Sequence, residues 1–293
     1  MTRAGYVALL GRPNVGKSTL LNRMLGQKIS ITSSKPQTTR HQILGIHTLP
    51  DTQIVYVDTP GLHLKARKAM NRYLNRTASQ ALGYVDVVVW LVEALRWTEE
   101  EDYILEALQE FAGPVLLVLN KVDRVRDKPA LLPFIQAVSA KREFAEVIPL
   151  SALRRDNLAA LEQSLARLLP EGEFLFDESQ ITTVSQRFLA AEVVREKLMR
   201  ELRDELPYRL AVEVESFEET ERLIRIRALI WVERPGQKAI VVGANGATLK
   251  RIGSLARQDL ERMLDSPVFL QTWVKVRDGW SDNERALQSL GYT

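Results

Sequence analysis

Gly11-Arg-Pro-Asn-Val-Gly-Lys-Ser18 lies directly after an apolar run, Gly5–Leu10, and at the start of a stretch with helical spacing, Lys17–Leu25. A glycine, four residues, then glycine, lysine and serine form a phosphate-binding motif when a strand precedes them and a helix follows. The glycines let the backbone curl so that N–H groups point at phosphate oxygens, and the helix N-terminus adds positive potential. The segment therefore predicts a phosphate loop in which Lys17 reaches the β- and γ-phosphates and the Ser18 hydroxyl ligates Mg²⁺.

Short apolar runs alternate with helix-length amphipathic stretches through residues 1–170. Near-continuous apolar strands are typical of a sheet covered on both faces, so we predict a three-layer α/β domain with a mostly parallel sheet. Gln42–Leu49 and Gln53–Asp58 are too close together for a parallel crossover and predict an antiparallel hairpin. The predicted strands are Gly5–Leu10, Ile54–Val57 (the core of the second hairpin strand), Val85–Val92, Val115–Leu119 and Val147–Leu150, and the predicted helices are Lys17–Leu25, Ala66–Ala81, Glu99–Phe111, Ala130–Ala140 and Asn157–Leu168.

Asn120-Lys-Val-Asp123 follows the predicted strand Val115–Leu119 and indicates which base is bound. An aspartate carboxylate accepts hydrogen bonds from guanine N1–H and its exocyclic amine. Adenine lacks this donor pair, and leaving the carboxylate unpaired would cost about 1–3 kcal/mol. Asn120 and the Lys121 stem are expected to brace the loop, and Ser151-Ala152 supports the site from the next strand end. This pattern disfavours the alternative of a P-loop kinase or ATPase.

Asp58-Thr-Pro-Gly61 closes the predicted strand Ile54–Val57. Asp58 is expected to hold Mg²⁺ through water, and the Gly61 N–H to bind the γ-phosphate. Between the first helix and this strand lies Gln37-Thr-Thr-Arg-His41, where Thr39 is the candidate that completes the magnesium shell when the γ-phosphate is present. The alternative interpretation of Gln37–His41 is an ordinary polar loop.

These motifs, in this order, resemble a translation-factor-class GTPase domain, and Arg12-Pro-Asn-Val15, Gln37–His41 and Asp58–Leu62 resemble the bacterial Era subfamily. The resemblance implies hydrolysis of GTP to GDP and phosphate with Mg²⁺. Leu62 follows Gly61 where Ras-like GTPases carry a glutamine, so another group must assist the reaction. The resemblance implies that Asn14 holds a potassium ion near the β–γ bridge, and the alternative is that Asn14 only stabilises the turn.

The predicted nucleotide site therefore comprises three overlapping sets. The GTP-binding residues are Gly11, Arg12, Pro13, Asn14, Val15, Gly16, Lys17, Ser18, Thr19, Asp58, Thr59, Pro60, Gly61, Asn120, Lys121, Val122, Asp123, Ser151, Ala152 and Leu153. The Mg²⁺ ligands are Ser18, Thr39 and Asp58, and the residues assigned to catalysis are Asn14, Lys17, Thr39 and Gly61.

Residues 171–183 lack periodicity after Pro170 and are the predicted linker between a domain of residues 1–170 and a second of residues 184–293. The second part has a different order of elements and predicts a small α+β domain. Its predicted helices are Ser185–Leu206 (stopped by Pro207), Ala247–Leu264 and Ser281–Leu290, and its predicted strands are Leu210–Val214, Leu223–Val232, Ala239–Val242 and Val268–Val276.

Gly243-Ala-Asn-Gly246 precedes a basic amphipathic helix. KH modules use such a loop to clamp about four nucleotides of single-stranded RNA, with an apolar groove for the bases. Candidates for that groove are Ile240, Val242, Leu249 and Ile252, although each could equally belong to the core. The predicted RNA-binding residues are Lys238, Ile240, Gly243, Ala244, Asn245, Gly246, Lys250, Arg251 and Arg257.

Glu233–Gly246 and Trp273–Trp280 are similar to the type II KH domain of the Era family, so the resemblance covers essentially the whole chain. It implies binding to the 3′ end of 16S ribosomal RNA and a role in 16S processing and 30S subunit assembly, with a link to the cell cycle. It also implies a monomer in the cytoplasm with peripheral contact at the inner membrane. The alternative function is a nucleotide-switched scaffold at the membrane or division site, with incidental hydrolysis.

Composition excludes several other classes of site. The 293 residues include no cysteine, which excludes disulfides and thiolate metal sites, and only three histidines, His41, His47 and His63. No apolar stretch is long enough to span a bilayer and no signal peptide begins the chain, so a cytosolic location is expected. Net charge is +3, from 40 basic and 37 acidic residues. This small excess predicts a local, shaped RNA site whose affinity depends only modestly on salt.

Overall fold

A computed structural model describes residues 2–61, 69–203 and 206–290. Leu62, His63 and the first residues of the predicted helix Ala66–Ala81 lie outside the described residues. The chain folds into two compact units, and each unit is built from more than one segment of the sequence. The first contains described residues 2–30, 39–61 and 74–183, and the second contains 31–38, 69–73, 184–203 and 206–290.

A six-stranded sheet with the order β2-β3-β1-β4-β5-β6 lies in the first unit. Its strands are β1 Arg3–Leu10, β2 Ile43–Thr48, β3 Thr52–Asp58, β4 Val87–Glu93, β5 Val115–Asn120 and β6 Glu146–Pro149. Every pairing is parallel except that of β2 with β3. The mostly parallel sheet and the antiparallel hairpin are therefore confirmed. All residues of β3 and β5 are buried, as expected for strands covered on both faces.

Among the described residues of this unit, four α-helices lie between these strands and a fifth follows β6, all close to the predicted positions. They are α1 Lys17–Met24, α2 Ala69–Ala81, α3 Glu99–Ala107, α4 Leu131–Ser139 and α5 Leu158–Leu168. The start of α3 is determined by residues close together in the sequence. The Thr98 N–H donates to the Glu101 carboxylate at 2.9 Å, as in a capping box. Loops at the carboxyl ends of β1, β3, β5 and β6 carry the predicted nucleotide motifs, the usual ligand edge of a parallel sheet.

Residues 171–183 pair with the first unit by backbone and side-chain contacts. Isolated antiparallel β-bridges pair Glu171 with Arg3 and Thr182 with Gly45. The Gln53 side-chain oxygen accepts hydrogen bonds from the backbone N–H groups of Leu175 and Phe176 at 2.8 and 2.9 Å. The predicted domain limits stay a prediction, and the structure adds that the segment predicted as a linker is tied to the sheet of the first unit.

The second unit packs helices on one face of a three-stranded sheet. Its elements are α6 Gln186–Glu201, β7 Leu210–Thr220, β8 Leu223–Val232, α7 Pro235–Val242, α8 Ala247–Leu264, β9 Val268–Val276 and α9 Glu284–Ser289. The order is β7-β8-β9, with β8 antiparallel to β7 and parallel to β9. Among the described residues no helix is long and apolar enough to cross a membrane.

The strand predicted for Ala239–Val242 is wrong, because these residues form the end of α7. Proline at the first helical position suits a helix start, and the Gln237 side chain accepts hydrogen bonds from the N–H groups of Glu233 and Arg234. Only Val241 of the β-branched run is buried, whereas Ile240 is 58% exposed, which is the pattern of one helix turn. The helix predicted for Ser185–Leu206 also ends earlier, at Glu201.

Candidate nucleotide site and nucleic-acid groove

The phosphate loop, Gly11–Ser18, takes backbone conformations that its glycines permit. Gly11 and Gly16 have positive φ angles of 149° and 112°. A Cβ atom at Gly16 would lie 2.3 Å from the Asn120 side-chain nitrogen, so only glycine fits there. The Lys17 ammonium donates to the carbonyls of Gly11 and Arg12 at 2.8 and 3.1 Å. Its burial lowers the pKa of Lys17 to about 8, against the opposing charge of Asp58, so a bound phosphate would favour the charged form.

The three predicted Mg²⁺ ligands lie together. Ser18 Oγ is 2.8 Å from Thr39 Oγ1 and donates to Asp58 Oδ2 at 2.9 Å. Burial raises the pKa of Asp58, although Lys17 and its hydrogen bonds oppose this, and the other carboxylate oxygen, Oδ1, is buried without a hydrogen-bond partner. Two hydroxyls and a carboxylate with a spare buried oxygen are the oxygen donors that Mg²⁺ prefers, so these residues fit the ion.

Ser30 is a member of this cluster that sequence reasoning missed. Its hydroxyl donates to Asp58 Oδ2 at 2.8 Å, and the residue is buried. Asn22 holds it in place, because the Asn22 side-chain oxygen accepts from the N–H groups of Ile29 and Ser30, each at 3.0 Å. No local motif marks Ser30, since its role depends on the fold of the chain between α1 and β2.

Asn120 joins three loops of the predicted guanine site. Its amide nitrogen donates to the Val15 carbonyl at 2.8 Å, and its amide oxygen accepts from Ala152 N at 3.0 Å. Ser151 Oγ donates to Asp123 Oδ1 at 2.6 Å, which orients the carboxylate predicted to bind the base. The two motifs thus support each other, while Leu153 is 58% exposed at the rim.

Arg12 belongs to a buried ionic cluster rather than offering its side chain to phosphate. Its guanidinium lies 2.7 Å from Glu93 Oε2 and 2.8 Å from Glu101 Oε1. Lys121 Nζ is 3.0 Å from the same Glu93 oxygen. Burial alone would raise the pKa of Glu93, but Lys121 and Arg12 together lower it below its ordinary value. The phosphate loop and the guanine loop are therefore joined through Glu93, which sequence reasoning also missed.

Asp58–Gly61 runs beside the phosphate loop. Thr59 Oγ1 donates to the Leu9 carbonyl at 2.8 Å. A Cβ atom at Gly61 would lie 2.8 Å from the backbone nitrogen of Pro13, so the two segments touch. Gly61 is therefore placed at the phosphate end of the site, where its N–H was predicted to act.

The Gly243–Gly246 loop of the second unit connects α7 to α8. Gly243, Asn245 and Gly246 have positive φ angles of 74°, 50° and 77°. A Cβ atom at Gly243 would lie 2.2 Å from the Thr248 hydroxyl, whereas nothing lies within 4 Å of one at Gly246. Close packing requires the first glycine, and the left-handed backbone favours glycine at the second.

A groove of about 550 Å³ opens between this loop, α8 and β9. It brings together Gly246, Lys250 and Arg257 of the predicted RNA-binding set. Other predicted members lie elsewhere: Arg251 forms an ion pair with Glu201, and Lys238 and Ile240 are exposed on α7. Of the candidate apolar residues, Leu249 lines the groove and Ile252 is fully buried in the core. The full lining is Gly246, Leu249, Lys250, Gly253, Ser254, Arg257, Val268, Phe269, Leu270 and Thr272.

Comparison with known proteins accounts for both sites. A family model described as 50S ribosome-binding GTPase matches residues 6–121, and a KH domain model matches residues 205–281. The chain is 57% identical over 290 residues to GTPase Era of Azotobacter vinelandii, covering 99% of this chain and 97% of that protein. It belongs to the Era family of GTPases.

Solved Era structures match along the whole chain. A variant of Aquifex aeolicus Era bound to GDP.AlF4⁻ has a TM-score of 0.96 at 38% identity and full coverage of both chains. Era in complex with MgGDPNP and nucleotides 1506–1542 of 16S ribosomal RNA has a TM-score of 0.97, again at 38% identity and full coverage. The GTPase activity and the order of a P-loop GTPase domain followed by a KH domain are confirmed. Membership of the Era family excludes the kinase or ATPase reading, and no finding supports the membrane scaffold.

Proposed function

We propose that this Era-family GTPase binds the 3′ end of 16S ribosomal RNA in the groove between α8 and β9 and acts in 16S processing and assembly of the 30S subunit. The observation that carries the proposal is the groove itself, where Lys250 and Arg257 line a channel that begins at a Gly-x-x-Gly loop. The relative bound to nucleotides 1506–1542 of this RNA aligns over the entire chain.

Crosslinking the protein to RNA in cells and sequencing the attached fragments tests this function. Reads concentrated at the 3′ end of 16S RNA and its precursors are expected. A variant with Gly246 changed to Asp, where nothing lies within 4 Å of an added Cβ atom, should lose them, because a carboxylate would face the phosphates. Reads spread evenly over cellular RNA, or unchanged in that variant, would contradict the proposal.

Ser18, Thr39 and Asp58 are the residues that would hold Mg²⁺, and Gly11–Ser18 the phosphates of GTP or GDP. When bound, Mg²⁺ neutralises charge on the β- and γ-phosphates. The backbone N–H groups and Lys17 place further positive charge at the same oxygens, in a site where burial strengthens each interaction. Asn120, Asp123 and Ser151 fix the guanine.

Asn14 is proposed to hold a potassium ion that assists hydrolysis. Asn14 itself has a left-handed backbone, with a φ of 62°, a conformation that asparagine tolerates and that equally suits a turn role. A higher hydrolysis rate in potassium than in sodium, lost in Asn14→Ala, is expected. Equal rates in the two salts would leave Asn14 as a turn residue.

RNA binding is proposed to depend on the nucleotide through the chain just before Thr39. Residues 31–38 belong to the second unit, where α6 holds them: the Thr32 N–H donates to Glu196 at 2.9 Å, and Lys35 donates to the carbonyls of Met199 and Leu202. The next residue, Thr39, reaches Ser18 in the first unit. A ligand that orders Thr39 therefore acts on a segment bonded to α6.

Comparing RNA affinity in GDP and in a non-hydrolysable GTP analogue tests this dependence. The GTP-like form is expected to bind more tightly, and Thr39→Ala should bring the two affinities together without altering the GDP form. Equal wild-type affinities would refute the dependence, because a ligand shifts an equilibrium only through differential binding.

The 30S precursor as partner, a monomeric state, a cytoplasmic location and peripheral contact at the inner membrane complete the proposal. Sedimentation on sucrose gradients tests the first, with the protein expected in the fractions of the 30S precursor. Flotation with vesicles of inner-membrane lipids tests the last. Protein that remains at the bottom of the flotation gradient would remove membrane contact from the proposal.

A further inference from the structure

Within the described residues, the sheet of the second unit exposes part of the face that lies away from its core, although Leu229 on that face is buried. Side chains of β8 alternate between Ile224, Ile226 and Ala228, which are buried in the core, and Arg225 and Arg227, which are exposed. Phe269 of β9 lies on this same outer face, because its neighbours Val268 and Leu270 point into the core. The outer face near β8 and β9 therefore combines two arginines with an aromatic ring.

Phe269 is unusually open for an aromatic side chain. It is 44% exposed, and it lies on β9, the strand at the edge of the sheet. Arg225 is its register partner in the parallel ladder, and the Arg225 guanidinium lies over the ring, 5.8 Å from its centroid. An exposed aromatic ring offers an open face on which a nucleotide base can stack.

Phe269 also lines the groove that holds Lys250 and Arg257. The edge strand β9 therefore separates the proposed RNA groove from the outer face, with Phe269 belonging to both. A KH groove accommodates about four nucleotides. A longer single strand leaving the groove across β9 would meet the ring first and the two arginines next.

Resting on the proposed RNA-binding function, we propose that Phe269 forms an additional nucleotide subsite, in which a base stacks on the ring and Arg225 and Arg227 bind the neighbouring phosphates. Aromatic rings bind successive bases of single strands by stacking, and adjacent arginines supply charge and cation–π contacts. Arg227 is steadied by Gln271, its register partner, at 3.3 Å. Of the acidic residues on β7, Glu213 accepts from Trp231 at 3.1 Å and Glu215 lies 3.6 Å from Lys275. The exposed Glu218 is the register partner of Arg225, so Arg227 is the arginine farther from a facing carboxylate.

Binding of nested 16S 3′-end oligonucleotides, from four to ten nucleotides and extended in either direction from the tightest four-nucleotide segment, tests the subsite. Wild-type affinity should rise by about 5- to 150-fold when the strand becomes long enough to reach Phe269, the range expected for one stacked base. Phe269→Ala should abolish this rise, and the quantity compared between variants is the ratio of long-strand to four-nucleotide affinity, because Phe269 also lines the groove. Phe269→Tyr should preserve the rise, whereas Phe269→Leu, which keeps apolar area without a ring, should not.

Leu255→Ala is the matched control, since Leu255 is another exposed apolar side chain of this unit, on α8 and outside the groove lining. It should bind every oligonucleotide like the wild type. Replacing the base at the decisive position by an abasic site should weaken wild-type binding by the same factor and leave Phe269→Ala unaffected. A length dependence identical in wild type and Phe269→Ala would overturn the subsite while the groove proposal stands. Failure of the wild type to bind even four nucleotides would instead refute the proposed function.

Discussion

The nucleotide site and the KH groove both face phosphates, but they present their cations in opposite ways. Lys17 is only 7% exposed and donates to two carbonyls of its own loop, and Arg12 is ion-paired with Glu93. Lys250 and Arg257 are exposed along an open groove, and Arg257 pairs with Glu261 one turn along the same helix at 3.2 Å. A buried, preorganised site concentrates binding energy in a few atoms, whereas an open groove distributes it over many weak contacts along a polymer. A single substitution should therefore lower ligand affinity far more in the nucleotide site than in the KH groove.

Gly16→Ala should give the largest effect. The new Cβ would lie 2.3 Å from the Asn120 amide nitrogen, at a φ of +112° that L residues rarely adopt. Because Asn120 also orients the guanine loops, we expect GDP affinity to fall by more than about 100-fold, the equivalent of roughly 3 kcal/mol. Titration calorimetry with GDP measures it.

Gly26→Ala is the control for backbone strain alone. Gly26 has a positive φ of 69°, and nothing lies within 4 Å of an added Cβ. We expect the free energy of unfolding to fall by about 1 kcal/mol with unchanged GDP affinity. If both variants lost nucleotide binding equally, general destabilisation would explain the loss and the comparison would break.

Asp123→Asn should change which base is bound. Guanine N1–H and its amine lose their carboxylate acceptor, so GTP affinity is expected to fall by about 50-fold, whereas xanthosine nucleotides, with a carbonyl in place of the amine, should gain. The hydrogen bond from Ser151 can persist to the new amide oxygen, so the loop should keep its shape. Competition between GTP and XTP measures the ratio, and an unchanged ratio would contradict the assignment of Asp123.

Glu93→Gln should have an intermediate effect. It removes a charge from the cluster with Arg12 and Lys121, so GDP should dissociate about tenfold faster and the free energy of unfolding fall by about 1–3 kcal/mol. The pKa of Glu93 in the folded protein is lowered below its ordinary value of 4.5. The difference in unfolding free energy between wild type and variant is therefore fully present above pH 4.5, and it is lost as the pH falls through the lowered pKa of the folded state.

Glu171→Gln supplies the exposed counterpart. Its side chain is 56% exposed and pairs with Arg3 at 3.3 Å. A surface pair contributes about 0–1 kcal/mol, so unfolding and GDP release should both stay near wild type. Chemical denaturation and stopped-flow release of a fluorescent GDP distinguish the two variants, and equal effects would show that burial adds nothing to the Glu93 cluster.

The same contrast explains what could be predicted from sequence. Gly11–Ser18 and Asn120–Asp123 are contiguous motifs whose chemistry depends on neighbours in the chain, so their positions followed from strand–helix alternation alone. Ser30 and Glu93 act through partners that are 28 residues away in one case and 81 in the other, and no local pattern marks them. Long-range pairing is decided by the fold, and a single sequence does not show it.

In the second unit the error was one of local structure. The run Ala-Ile-Val-Val at 239–242 has strand propensity, but Pro235 and the Gln237 side chain stabilise the start of a helix. Val241 is the only residue of this run that is buried, as expected when one face of a helix packs on the core. Tertiary context overrode β-propensity, as it often does for short apolar runs. The Gly-x-x-Gly loop was nevertheless located correctly, because its glycines are required whether a strand or a helix precedes them.

Lys250→Ala should have the smallest effect, and its signature is the salt dependence rather than the affinity. Lys250 is exposed in the groove, so its loss should weaken binding of 16S 3′-end RNA only about two- to fivefold and lower the slope of log K against log salt by about 0.7, the value for one phosphate contact on a single strand. Arg262→Ala is the matched control: it removes one exposed cation from the same helix, outside the groove and paired with Asp259. Fluorescence anisotropy at several salt concentrations separates the two, because a variant that merely lowers net charge leaves the slope nearly unchanged. Equal slopes for both variants would mean that the groove cations act only through the total charge of the protein. The groove would then not be a specific phosphate-binding site of the kind that the phosphate loop is.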